Sequence, residues 1–380
     1  MPDVAHGFQL HPGRESWTVT TDLLDDLVED HSEWRIGATL HLPRQRMSYW
    51  TRAAAAWNDL TDFLIADPET TRLDRAYDDR GRGRDDYDYL SESDPAANVA
   101  RFVGNVLGAQ RSAGATVLVT PWLLHGMTQT EHELAATIRF AEAAVEAVGD
   151  EELLVGVEAT EGVFATAEAR NALINELVEG PELPVYLRMR ITAPSGYKQY
   201  QQRDGLEGLR EVVRALEAND RPVILPQSGL TGWLMTAFGA RSFGAGMAAS
   251  LQRNTMPSSG GGGLPPLHWY YVPELLGFVQ AEEMPDIAGV AGFNVCTCPY
   301  CDGDLPEIGA KFDLELAGKH FLWRCAQLAA ELPEVNPGGH VSRLVSDASD
   351  FWTAVQEAGV SLDARSQATH LAVWSTVLDG

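Results

Sequence analysis

The sequence predicts an α/β fold: a (β/α)8 TIM-type barrel with a zinc-binding appendage and C-terminal helices. Three observations lead there. From about residue 34 to 246, short apolar runs alternate with longer stretches of helical period, the pattern of a parallel sheet covered by helices. Seven such runs can be read in that span, one short of a closed barrel. No Gly-x-Gly-x-x-Gly turn follows the first run, which counts against the runner-up, a doubly wound open sheet.

The seven runs are Arg35–Leu42, Asp62–Ala66, Thr116–Thr120, Leu153–Glu158, Pro184–Ile191, Pro222–Pro226 and Ser242–Met247. Helical period is clearest over Glu131–Val148, Ala165–Val178 and Leu206–Ala218, where apolar residues recur three and four apart. The eighth strand is either Ile287–Val295 or a segment before Arg35. Two segments break the pattern. Arg72–Asp94 is crowded with Arg, Asp and Gly and reads as a solvated insertion loop, with a lid over the barrel mouth as the alternative. Asn254–Pro266 contains a glycine run and paired prolines, the composition of a loop leaving the last strand. The expected organisation is a barrel over 1–253, a connecting segment over 254–286, a zinc-binding subdomain over 287–335 and a helical region over 336–380. The sequence has no internal repeat.

There are 28 basic and 54 acidic residues, a formal net charge of −26. Only Lys198, Lys311 and Lys319 are lysines. The acidity is spread along the chain rather than held in a tail. This suits a halophilic protein in a salt-rich cytoplasm, where the Debye length falls to roughly 3 Å at 1 M. No run approaches the ~20 apolar residues of a membrane span, and the first residues lack the basic and apolar segments of a secretory signal. The expectation is a cytoplasmic protein without a membrane partner.

Cys296, Cys298 and Cys301 form Cys-x-Cys-x2-Cys, with Pro299 inside the turn. His320 follows at the start of an amphipathic pattern. Three thiolates and one imidazole make a closed tetrahedral shell, the structural rather than the catalytic arrangement of zinc, so one zinc per chain is expected. Cys325 lies five residues beyond His320, off its face of a helix, and reads as a core residue.

This cluster, placed after a barrel and followed by HFLWRCAQLAAEL, resembles the tRNA-guanine transglycosylase family, including its relatives that insert deazaguanine into DNA. The segment RPVILPQSGLTGWLMTAFGARSFGAG is similar to the family's strand, glycine turn, helix and Gly-x-x-x-Phe strand. The likeness spans Leu153 to Leu332. It implies recognition of a purine or 7-deazaguanine base, base exchange in tRNA or DNA of the queuosine or archaeosine type, and a homo- or hetero-oligomeric partner of the same kind. It also exposes a departure. The family's nucleophilic aspartate follows that phenylalanine, but here Phe243 precedes Gly244, and no carboxylate lies between Arg221 and Leu251. Glycine cannot form the covalent bond. The family's base-binding aspartate corresponds to Glu158, and its early aspartate to Asp67, although Pro68 stands where the family has a glycine-rich turn.

Barrel active sites lie at the C-terminal ends of strands. On that rule Asp67 and Glu158 are the candidate catalytic residues, opening into one cavity. Glu161, Arg188, Arg190, Gln227 and Ser228 are the candidate substrate-binding groups, with Trp122 and His125 nearby. Arg188 and Arg190 share a face and suit either a phosphate or an ion pair with local acids. Nucleic acid would have to meet an arginine patch, with Arg44, Arg46, Arg52, Arg72, Arg75, Arg80, Arg82 and Arg84 available. Three functions stay open: an exchange enzyme with a relocated carboxylate, an inactive relative acting as a nucleic-acid-binding or partner subunit, and an unrelated barrel hydrolase with a structural zinc.

Overall fold

A computed structural model describes residues 7–12, 17–30, 33–44, 46–71, 88–90, 95–127, 130–192, 198–247, 252, 254, 269–301, 303 and 314–380. Most of the Arg72–Asp94 insertion and of the arginine patch falls outside the described residues.

Nine strands form one parallel sheet: β1 (Gly7–Leu10), β2 (Ile36–His41), β3 (Phe63–Asp67), β4 (Val117–Val119), β5 (Leu124–His125), β6 (Glu152–Thr160), β7 (Val185–Arg190), β8 (Val223–Leu225) and β9 (Ala240–Ala245). β1 pairs with both β2 and β9, and β4 pairs with β6, so eight strands close into a barrel. β5 lies outside that ring, beside the end of β6. Closure excludes the open doubly wound sheet. The eighth strand is β1, ahead of Arg35; Ile287–Val295 contains no strand, and its first residues end a short helix, Met284–Ala288.

β1 escapes a search for apolar runs because only Phe8 and Leu10 face the covering helices, while Gln9 turns inward. Gln9 accepts a hydrogen bond from the Thr39 hydroxyl (3.2 Å) and donates one to Ser242 Oγ (3.0 Å). This buried polar tie joins β2, β1 and β9, satisfying the groups that burial would otherwise penalise. The rest of the interior is apolar: Phe63, Ile65, Val117, Val119, Trp122, Leu154, Tyr186 and Ile224 pack together. The Trp122 ring reaches the centre because β6 carries Gly156 there; a Cβ at that position would lie 2.3 Å from the ring.

Helices Val99–Ala113, Thr130–Ala147, Ala167–Glu179 and Arg203–Glu217 follow their strands. The last of these buries Leu206, Leu209, Val212, Val213 and Leu216 on one face, each aliphatic side chain worth about 1.5–3 kcal/mol when fully buried. The seam where β1 meets β9 is covered by helix Leu314–Ala330, which also packs on a hairpin of β10 (Trp269–Val272) and β11 (Gly277–Gln280). The helix carrying His320 thus also supplies an outer wall of the barrel. Helix Pro337–Glu357, N-capped by Asn336 through Gly339 N (3.0 Å), packs on the hairpin turn and on Gly229–Thr236. Helix His370–Asp379 is tied to Arg203–Glu217 by Arg210 Nη1, which donates to the Val377 carbonyl at 2.8 Å. Among the described residues no helix is long and apolar enough to cross a membrane.

Candidate functional site

Cys296, Cys298, Cys301 and His320 meet as the sequence predicts. All four are buried, and their ligand atoms lie within 4.8 Å of one another. His320 Nδ1 stands 3.4, 3.3 and 3.4 Å from the three sulfurs. A tetrahedral ion with metal–sulfur bonds of about 2.3 Å and metal–nitrogen bonds of 2.0–2.1 Å would set these atoms roughly 3.5 Å apart, so the tetrad fits a metal ion. The surrounding contacts also suit one. His320 Nε2 lies 2.9 Å from the Tyr271 carbonyl; donating there leaves Nδ1 for the ion. Tyr270 stacks on the imidazole (4.5 Å between centroids) with its hydroxyl 2.9 Å from Cys301 Sγ. Arg324 Nη2 donates to Cys296 Sγ at 3.0 Å, offsetting the negative charge that three thiolates leave on a dication. Burial pushes the His320 pKa down, but the sulfurs of Cys296 and Cys298 lift it to about 9, so an ion taking Nδ1 displaces a proton. Cys325 is fully buried outside the cluster, its thiol pushed up by burial.

At the barrel mouth, β3, β6, β7 and β8 bring together Asp67, Glu158, Arg188, Arg190 and Gln227, all buried. Asp67 Oδ2 accepts from Arg188 Nη1 (2.7 Å) and the Tyr186 hydroxyl (2.9 Å), and Oδ1 accepts from Glu69 N (2.8 Å). Arg188 Nη2 reaches Gln227 Oε1 at 2.8 Å. Glu158 Oε1 accepts from Arg190 Nε (2.7 Å) and Asn254 Nδ2 (2.6 Å), and Oε2 from Trp122 Nε1 (3.1 Å). Burial alone would raise the Glu158 pKa; the charges of Arg188 and Arg190, with the Asn254 and Trp122 hydrogen bonds, outweigh it and hold the group at about 2. An acid that strong has no proton to give near neutral pH, and each carboxylate is spent on its own guanidinium. Asp67 and Glu158 therefore share the mouth, each in an ion pair, Asp67 with Arg188 and Glu158 with Arg190.

Two histidines complete the mouth. His11, just past β1, lies with Nδ1 3.0 Å from His41 Nε2 at the end of β2, and its Nε2 accepts from Gln227 N at 3.2 Å. His41 Nδ1 is 3.3 Å from Glu69 Oε1. The bond from Gln227 N fixes the His11 proton on Nδ1, pointing at His41. The His11 ring stands over Gly244: a Cβ there would lie 2.2 Å from Nε2 and 2.6 Å from Cδ2. The position where the resemblance calls for an aspartate is thus filled by an imidazole from the opposite end of the barrel domain. Glu69 (φ 43°) and Gln227 (φ 48°) both adopt left-handed backbone, and such strain tends to collect where side chains must be aimed.

The remaining predicted residues do not join this group. Glu161 accepts from the Thr192 backbone (3.2 Å) and hydroxyl and from Tyr200 Oη (3.2 Å), a clasp at the rim. Ser228 Oγ turns back to the Leu225 carbonyl, closing the turn after β8. His125 pairs with Ala159, whereas Glu158 pairs with Leu124, so the imidazole points away from the mouth. Sequence reasoning missed His11, His41, Glu69, Tyr186 and Asn254. A usable signal existed for two of them: in FQLH and TLH a histidine ends the strand, where barrels place mouth residues.

No protein-family model matches this chain, and neither does any curated protein. Among solved structures, the reductase domain of a nonribosomal peptide synthetase from Mycobacterium tuberculosis is similar over 99% of this chain and 92% of that one, at 12% identity and a TM-score of 0.20. A superposition that loose carries neither fold nor function across.

Proposed function

We propose that this chain is a transglycosylase-like zinc protein whose base-exchange centre is silent, acting in the cytoplasm as the partner subunit of an active chain of that kind. The observation that carries the reading is the His11 imidazole over Gly244, 2.2 Å from where a Cβ would stand. The nucleophile is missing, and so is the room for one. Ion pairing of Asp67 with Arg188 and of Glu158 with Arg190 commits both candidate carboxylates. A partner role suits the charge better than direct capture of nucleic acid, since a net charge of −26 opposes a polyanion. A salt-rich cytoplasm accounts for that charge, and zinc is the metal that a closed shell of three thiolates and one imidazole favours.

The metal-loaded protein should be incubated with tRNA or duplex DNA and a radiolabelled deazaguanine base, then denatured and resolved for covalent adducts. No adduct and no exchange are expected from the chain alone. The same chain should comigrate with an active transglycosylase in size-exclusion chromatography. An adduct mapping to Asp67 or Glu158 would restore an enzyme with a relocated nucleophile, and failure to associate would remove the partner role.

A further inference from the structure

A groove of about 320 Å3 runs between the β10–β11 hairpin, Gly292 and Asn294 ahead of the cysteine turn, and the helices Leu314–Ala330 and Pro337–Glu357. That volume is at the lower end for small-molecule sites. Its floor is apolar, formed by Leu276, Leu344 and Phe351 among others. Leu276 is held at φ 44°, a conformation that costs a non-glycine residue free energy.

Among the described residues three buried polar atoms of the lining lack partners: Tyr271 Oη, Glu274 Oε2 and Arg324 Nε. The Tyr271 side chain is 1% exposed and its hydroxyl makes no hydrogen bond. Glu274 Oε1 accepts from Asn294 N at 3.1 Å, while Oε2 is buried without a partner. Buried polar groups are nearly always satisfied, by protein, water or ligand. Arg324, the cation of the lining, spends its terminal nitrogens on Cys296 Sγ and Gln327 Oε1, and makes no hydrogen bond to Tyr271 Oη or Glu274 Oε2 among the described residues. Glu331 and Asp347 add two more carboxylates to the lining, and Asp347 pairs with the exposed Arg343. The groove therefore combines an apolar floor, more carboxylates than cations, and unanswered oxygens on Tyr271 and Glu274.

We propose that it binds a small organic cation, an ammonium or guanidinium on an apolar stem. The head group donates to Glu274 Oε2 and Tyr271 Oη, and the stem lies on Leu276, Leu344 and Phe351. The same chemistry is offered by a free amine and by an arginine side chain of a peptide.

The test uses the full metal-loaded chain, titrated calorimetrically at fixed ionic strength with phenethylammonium chloride, with 2-phenylethanol as its uncharged counterpart, and with acetyl-Phe-Arg-amide. Phenethylammonium should bind and phenylethanol should not. Glu274→Gln should weaken binding at least tenfold, and Leu344→Trp should abolish it by filling the groove. Metal content and circular dichroism should stay unchanged in the Glu274→Gln variant, which keeps the test sound if Leu344→Trp fails to fold. Competition by the peptide at lower concentration than the amine identifies a peptide side chain as the occupant; binding of the amine alone identifies a free ligand. Equal binding of amine and alcohol, binding indifferent to Glu274→Gln, or no binding of either cation at millimolar concentration overturns the proposal.

Discussion

Gly244→Ala is the smallest change that tests whether the barrel mouth is filled as described. Its Cβ would stand 2.2 Å from His11 Nε2, against the 3.4 Å at which ordinary contact begins, so the ring must move by about 1.2 Å. That motion strains two hydrogen bonds, His11 Nδ1 to His41 Nε2 at 3.0 Å and Gln227 N to His11 Nε2 at 3.2 Å. Overpacking a core costs about 1–3 kcal/mol, and each buried group left unpaired about 1–3 kcal/mol more. Gly244→Ala should therefore destabilise the protein by roughly 2–5 kcal/mol. His11→Ala removes the obstacle, so once that change is made, adding Gly244→Ala should cost about 1 kcal/mol or less. The assay is a urea double-mutant cycle on metal-loaded protein, with coupling of at least about 1 kcal/mol expected. Additive effects, or a Gly244→Ala variant as stable as the parent, would show that the imidazole does not occupy that space.

Three further outcomes follow from the same geometry. Cys298→Ala should release the metal, lowering zinc from one equivalent per chain to none by elemental analysis, and expose the C-terminal third to protease, because metal-binding energy here is folding energy. Glu158 has a folded pKa near 2 against an ordinary 4.5. A depressed carboxylate stabilises above its unfolded pKa and loses that contribution as pH falls, so stability should drop between about pH 4.5 and 2, and the slope should flatten in Glu158→Gln. His125 is held neutral, its pKa lowered from 6.5 to about 4 mainly by burial, with Glu158 opposing. The unfolded chain takes up that proton first, so stability should fall from pH 6.5 to 4, and His125→Leu should remove one proton from that slope in denaturation measured across the range.

The sequence by itself determined the elements whose signal is local. Seven of the eight barrel strands are continuous apolar runs because a parallel strand covered on its outer face is apolar along its length. The metal tetrad was legible because three of its ligands share one turn and the fourth follows in the next helical pattern, where the structure places it in the second turn of Leu314–Ala330. β1 was not legible, since four residues with an inward Gln9 carry no run. Only the tertiary structure decided what the mouth is. Asp67, Glu158, Arg188 and Arg190 were each visible as polar ends of strands, but whether a carboxylate faces a cavity or a guanidinium depends on which strands closure makes neighbours. β6 and β7 pair so that Glu158 is opposite Arg188, and Arg188 crosses the barrel to Asp67. Gly244 was legible in the sequence as a departure from the pattern it resembles. That the space had been given to His11 could not be read there, because closure pairs β1 with β9, joining residues far apart in the chain, and no local pattern records it.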